Sequence, residues 1–418
     1  MKRLLYALVV LSLAAVYPTL HIDGGATQHG LIAAAIAAPK QAASACTFPT
    51  TMASTPEQTA WQLFVAASCP TSKNQVVWEN WIEQLNMYPA SGKVGAMNRA
   101  APHKRLHGSP LTHAVAAKLA AVRGEAIPEL APDSECNAMN GPPKNVVPGA
   151  TICEEARLDP GAQAFVSGNG YQIRPGQTQA AQKGANIQFP GPAVEVKADW
   201  IPATDFNPPF TCAAPPTGVH AETIDGKCYA LAGIHISSKL LPNWLWATFE
   251  PQNLTTNLNR CVVLGCNDAW GSVPATSNGA FTGQTPALKA LMTQANLAPE
   301  WFNYRLDGAQ TDFGTAANPT LLGNSVIEGY NVGMNLKQAS CITCHSVSSI
   351  KNDGTDGIVT LGGMNPPPVG PEITPGAGWI ARDFVWSLGL ACPQVPGGGG
   401  LQTCSSSSEA MKKKEKSK

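Results

Sequence analysis

The chain has 418 residues, a formal net charge of 0 and 13% charged residues, about half the share of an average soluble protein. That balance leaves no basic footprint for a nucleic acid, and the length allows two domains or one large elaborated one. Its 39 glycines and 35 prolines argue for many turns and long ordered loops, and against a helical bundle.

The N-terminus reads as an export signal. Lys2 and Arg3 precede the apolar run Leu4 to Val16, and Ala43-Ser44-Ala45 offers a cleavage site. A second apolar stretch, Leu31 to Ala38, keeps a retained membrane anchor open as the alternative. Residues 1–45 are therefore expected to be a signal peptide or an N-terminal anchor, and the chain periplasmic or otherwise extracytoplasmic. Cys46, directly after Ala45, also hints at lipid attachment, but no large apolar residue stands three places before it.

Residues 46–317 read as an α+β region of unassigned role, mainly β and loop-rich with flanking helices. Thr55-Pro56-Glu57-Gln58 supplies an N-cap, a proline at the first helical position and a glutamine at the third, and Trp61, Phe64 and Val65 give that helix an apolar face. Trp78, Trp81, Ile82 and Leu85 recur at helical spacing and predict a second helix. Val194 to Trp200 alternates as a half-buried strand does. Tyr229 to Ile236 predicts a more buried strand, and Trp244 to Glu250 another. Residues 318–392 are expected to form a small helical unit, with helices at Ser325 to Ser340 and Ile380 to Leu390. Residues 393–418 form a Gly/Ser/Lys-rich tail. Its last eight residues hold five lysines, which solubilise the chain or contact an acidic partner or anionic lipid peripherally.

Between those helices stands Cys341-Ile342-Thr343-Cys344-His345, a C-x-x-C-H sequence. It is the attachment signal of a c-type haem: each cysteine adds to a vinyl group and the histidine reaches the iron. The expected cofactor is one covalent haem c (heme c), bound through Cys341 and Cys344 with His345 on the metal. A dithiol redox pair and half of a zinc site are the other readings of C-x-x-C. Of the twelve cysteines, ten remain. They fall as neighbours: Cys46 and Cys69, Cys136 and Cys153, Cys212 and Cys228, Cys261 and Cys266, Cys392 and Cys404. This suits short-range disulfides formed in an oxidising compartment.

The motif and its setting resemble class I-type monohaem cytochromes c. With Glu195 to Trp200, Gly233 to Glu250 and Asn324-Ser325-Val326, the chain resembles a family of exported bacterial monohaem cytochrome c proteins with a long N-terminal region of unassigned activity. The resemblance implies haem binding, His345 as proximal ligand and a downstream methionine as distal ligand. That places Met364 on the metal, closer to the motif than in small cytochromes c. Met334, His235 and the loose cluster His103, His107 and His113 are the other donors considered.

Three functions follow. Electron transfer needs two protein ligands and a partner that is an exported redox protein or a small-molecule electron donor or acceptor. A peroxidase- or oxidase-like enzyme needs an open iron site, with His235 or Glu250 as acid–base group. A binding or sensory module needs a concave site remote from the metal; no nucleotide-binding glycine signature and no H-E-x-x-H supports one.

Overall fold

The alternation in Val194 to Trp200 becomes a strand of an eight-stranded antiparallel sheet. The strands are β1 (Ile82–Glu83), β2 (Asn137–Ala138), β3 (Thr151–Leu158), β4 (Val194–Pro202), β5 (Ala221–Ile224), β6 (Lys227–Ser238), β7 (Leu245–Pro251) and β8 (Tyr304–Gln310). They run in the order β1-β3-β4-β6-β7-β8, with β2 on β3 and β5 on β6. The computed structural model describes residues 45–71, 75–88, 105–106, 136–141, 145–252, 260–277, 282–357 and 369–392. The export signal, His103, His107, His113, Met364 and the lysine-rich tail lie outside the described residues. No helix of the described residues is long and apolar enough to cross a membrane.

Both faces of the sheet are covered, because side chains alternate between them along each strand. Val196, Ala198, Trp200, Ile234, Ile236, Ala247 and Phe249 face one core. The helix Pro56–Ala67 closes that core, its Thr55 cap accepting from Gln58 N as the sequence requires. Phe64 sits 4.5 Å from Phe249 and 5.7 Å from Trp301 between ring centroids. The helix Pro286–Gln294 adds Leu288 and Met292. The intervening residues Glu195, Lys197, Asp199, His235, Thr248 and Glu250 form a polar face. The segment around residues 322–345 lies over it. Asn324 Nδ2 donates to Thr248 Oγ1 (2.8 Å), Ser325 N to the Glu250 carboxylate and Asn331 Nδ2 to Asp199 Oδ2 (2.8 Å). Asp199 and Glu250 are buried. The strand keeps its half-buried alternation through Glu195 and Lys197 and is buried on both sides from Ala198 to Ile201.

Three expected helices take other forms. Trp78 to Leu85 is a short 3-10 turn, the strand β1 and the start of the short helix Gln84–Met87; Trp78 instead joins Trp200 in the core. Ser325 to Ser340 is a π-helix at Ser325–Asn331 and a 3-10 turn at Leu336–Gln338, parted by Gly333 at φ 75°. Ile380 to Leu390 is the end of a strand, Trp379–Ala381, and a 3-10 turn, Trp386–Leu390. Asp383 and Phe384 at φ 50° and 68° stop any helix there. The α+β class holds, with a large antiparallel sheet and several helices. The small discrete helical haem unit does not form among the described residues.

Asp356 anchors the C-terminal part. Its Oδ2 accepts from Arg174 Nη1 (2.6 Å) and Arg382 Nη1 (2.7 Å), all three side chains being buried. Burial alone would raise its pKa, but Arg382 and Arg174 outweigh it and hold the carboxyl below its ordinary value. A depressed folded-state pKa contributes stability that is complete above the unfolded value and is lost as pH falls through the folded one. Asp356→Ala is expected to cost about 3–5 kcal/mol at neutral pH, as two buried guanidinium groups lose their counter-charge. The gap from wild type should narrow below about pH 4. Urea unfolding across pH measures it, and a cost under about 1 kcal/mol would contradict the role.

Candidate functional site

The motif occupies a five-residue helix, Cys341–His345. Cys341 and Cys344 are thiols outside the disulfides. Burial pushes Cys341 well above the ordinary thiol value and Cys344 up to about 12, so both stay protonated. His345 Nδ1 lies 2.8 Å from Phe384 O. Its ring stacks on Trp386 at 4.9 Å and lies 4.5 Å from Trp246. Burial lowers the His345 pKa to about 4 and keeps the imidazole neutral. A neutral ring with Nδ1–H on a carbonyl leaves Nε2 as the lone-pair donor.

This geometry corrects the haem expectation. Cys341-Ile342-Thr343-Cys344-His345 stands in the sequence. The cavity touching Cys341 and His345, however, holds only about 30 Å³, walled by Glu195, Lys197, His235 and Trp246. Pockets that bury a cofactor-sized ligand run roughly 300–1,000 Å³. That cavity is too small for a porphyrin, and no cytochrome-like helical unit surrounds Cys341, Cys344 and His345 among the described residues. The expectations of haem c, iron-based electron transfer and a cytochrome c are thereby overturned: the other described cysteines pair as disulfides, and the converging metal-ligand sets do not include residues 341–345. Met364 lies outside the described residues. His235 does reach the motif's cavity, with Nε2 3.3 Å from Glu328 Oε2. Glu250 is held instead by Ser325 and Asp307.

The metal-ligating side chains that converge among the described residues lie elsewhere. One set is Cys261, Cys266 and Asp307, the other Glu79, His220 and Glu222. In the first set the sulfurs are spent on each other in a disulfide. In the second, three donor atoms lie within 4.8 Å of one another. Glu79 comes from the 3-10 turn before β1, where its Oε2 accepts from Val76 N (2.9 Å). His220 and Glu222 enter and occupy β5, two residues apart and so on one side of the chain. His220 Nε2 lies 3.4 Å from Glu79 Oε1, and Nδ1 lies 3.7 Å from Glu300 Oε1. Trp301 stacks on the ring at 4.4 Å.

Arg105 crosses the cluster. It binds Glu222 Oε1 at 2.5 Å and Glu155 Oε1 at 2.7 Å, and lies over Trp200. Arg105, Arg157 and the protonated His220 together face Glu79, Glu155, Glu222 and Glu300. Burial opposes the charged forms, but His220 holds Glu79 down to about 2, and the hydrogen bonds to Glu300 and Glu79 lift His220 to about 9. Burial raises Glu222 to about 7. No contiguous motif in the sequence marks this set. Glu79 sits among tryptophans that read as core, and only the His220-x-Glu222 spacing hints at donors on one strand face.

Four of the expected cysteine pairs are disulfides: Cys46–Cys69, Cys136–Cys153, Cys212–Cys228 and Cys261–Cys266. Cys392 is also disulfide-bonded. Such a set belongs to an oxidising, extracytoplasmic environment. Comparison with known proteins finds no matching family, no matching curated protein and no matching solved structure.

The two thiols give a direct check. Iodoacetamide at neutral pH should leave Cys341 and Cys344 unlabelled in the native chain and label both after denaturation. Rapid native labelling, read by peptide mass spectrometry, would contradict their burial and raised pKa values.

Proposed function

We propose that this chain is an extracytoplasmic metal-binding protein whose divalent cation is held by Glu79, His220 and Glu222. The observation that carries the reading is the convergence of one nitrogen and two carboxylate donors within 4.8 Å. One imidazole and two carboxylates form a borderline-to-hard set suited to Zn²⁺ or Mn²⁺. Glu300 beside the other imidazole nitrogen has the place of an outer carboxylate that orients a ligating histidine. When bound, the cation supplies positive charge to the buried carboxylates. Arg105 does part of that work here and must yield Glu222 to the ion. The protein's setting is periplasmic, with the N-terminal segment as signal or anchor.

Titration of the native chain with Zn²⁺ or Mn²⁺ by calorimetry tests this. One equivalent should bind, His220→Ala and Glu222→Gln should abolish it, and Glu300→Gln should weaken it by about 10–100-fold. No binding, or binding unaltered in both ligand variants, would overturn the reading.

A second proposal keeps Cys341, Cys344 and His345 as a separate site with Met364 as a further donor. It is favoured by two cysteines on one turn that stay outside the disulfides, beside a neutral imidazole, in a chain whose other described cysteines are disulfide-bonded. The set is soft and suits a thiophilic metal ion, and an exported redox protein or small-molecule electron donor is its proposed partner. The expected intact mass is that of an unmodified chain with two alkylatable thiols, protected by Cu(I). A covalent adduct on both cysteines in the intact mass would overturn this proposal.

A further inference from the structure

The short loop between Cys261 and Cys266 differs in its surroundings from a purely structural staple. Asp307 Oδ1 lies 3.8 Å from both sulfurs. Arg260 Nη1 lies 3.7 Å from Cys266 Sγ and also donates to Asp307 O at 2.7 Å. Residues Glu57, Arg260, Cys266, Thr276, Asp307 and Leu322 line an open cavity of about 410 Å³. Cys266 lines it and is 3% exposed, whereas Cys261 is fully buried. A sulfur facing a cavity, a cation beside it and a buried carboxyl touching both sulfurs are the groups that thiol–disulfide exchange uses.

We propose that Cys261–Cys266 is a redox-active disulfide, reduced through this cavity by an exported protein dithiol, with Asp307 as proton donor. The partner's thiolate attacks Cys266 Sγ. The Cys261–Cys266 bond breaks, its electron pair leaves on Cys261 Sγ, and the Asp307 carboxyl protonates that sulfur. The partner's second thiol then attacks its own sulfur in the mixed disulfide. Cys266 leaves as a thiolate beside Arg260 and takes the second thiol's proton. Asp307 recovers its proton from solvent, replacing the one the partner released on forming its first thiolate. Two electrons pass, the partner dithiol becoming a disulfide as this one becomes two thiols. Burial, and then the neighbouring Glu250 carboxyl, push the Asp307 pKa well above its ordinary value, so a proton is available there. Arg260 and Arg305 are the cations facing it.

The full native chain is treated with a dithiol, dithiothreitol or a reduced thioredoxin-type protein, and quenched at intervals. Differential alkylation then reads each disulfide by mass. Cys261–Cys266 should reduce first, at least about tenfold faster than Cys46–Cys69, Cys136–Cys153 and Cys212–Cys228, and Asp307→Asn should slow that step alone by about 10–100-fold. Reduction no faster than the other three, or an unchanged rate in folded Asp307→Asn, would overturn the proposal. If Asp307→Asn does not fold, the wild-type order decides by itself.

Discussion

The structure depends on how the polar face of its sheet is covered. Glu195, Lys197, Asp199, His235, Thr248 and Glu250 would face water on an open antiparallel sheet. Here they meet the chain around residues 322–345, and Asn324 is the joint. Its amide donates to Thr248 Oγ1 and Phe249 O, and its Oδ1 accepts from Val326 N and Ile327 N. A Cβ at Gly233 would come within 2.6 Å of that oxygen, so a glycine is needed beneath it. A buried polar layer is stable only when its groups are paired; Lys197–Glu154 and His235–Glu328 add ion pairs to it, while Asp199 Oδ1 is buried with no hydrogen-bond partner among the described residues. The cost shows in the carboxyls: burial raises Glu195 to about 7 and Asp199 to about 8.

That polar layer is also the wall of the C-x-x-C-H turn. Cys341 and His345 look onto Glu195, Lys197 and His235 across a small cavity. The motif is thus docked on a sheet rather than enclosed by helices. Trp246, on the same side of β7, reaches His345, while Leu245 and Phe249 point to the opposite core. One strand therefore serves the helix layer and the motif layer together.

The carboxylate–imidazole cluster and the Cys261–Cys266 disulfide draw on different elements from this turn. Glu79 and β5 supply the first. The second hangs on Arg260, whose guanidinium holds the carbonyls of Gly265, Asp307 and Leu321. Arg260 Nη2 bonds Leu321 O, and Cys341 Sγ lies 3.5 Å from the next carbonyl, Leu322 O. The disulfide loop and the motif are thus tied to adjacent peptide groups, a short mechanical path between the two sulfur pairs.

Local chemistry written in consecutive residues was legible from the sequence. The Thr55 cap, the strands beginning at Val194, at Tyr229 and near Trp244, and four disulfides between neighbouring cysteines all follow from short-range patterns. The motif at residues 341–345 was equally plain as a string. Long-range packing decided the rest. Periodicity at Trp78 to Leu85 resembled a helix, but Trp78 is claimed by Trp200 and Ile82 by β3, and no local pattern encodes either partner. The Ser325 segment looked helical, but its side chains and backbone satisfy the polar face of a distant sheet. Glu79 and Glu222 meet across 143 positions of sequence, a contact that only the strand order creates. The sequence by itself determined which residues can donate, cap or cross-link; the tertiary structure decided which of them share a cavity, because burial and strand pairing are set by partners far along the chain.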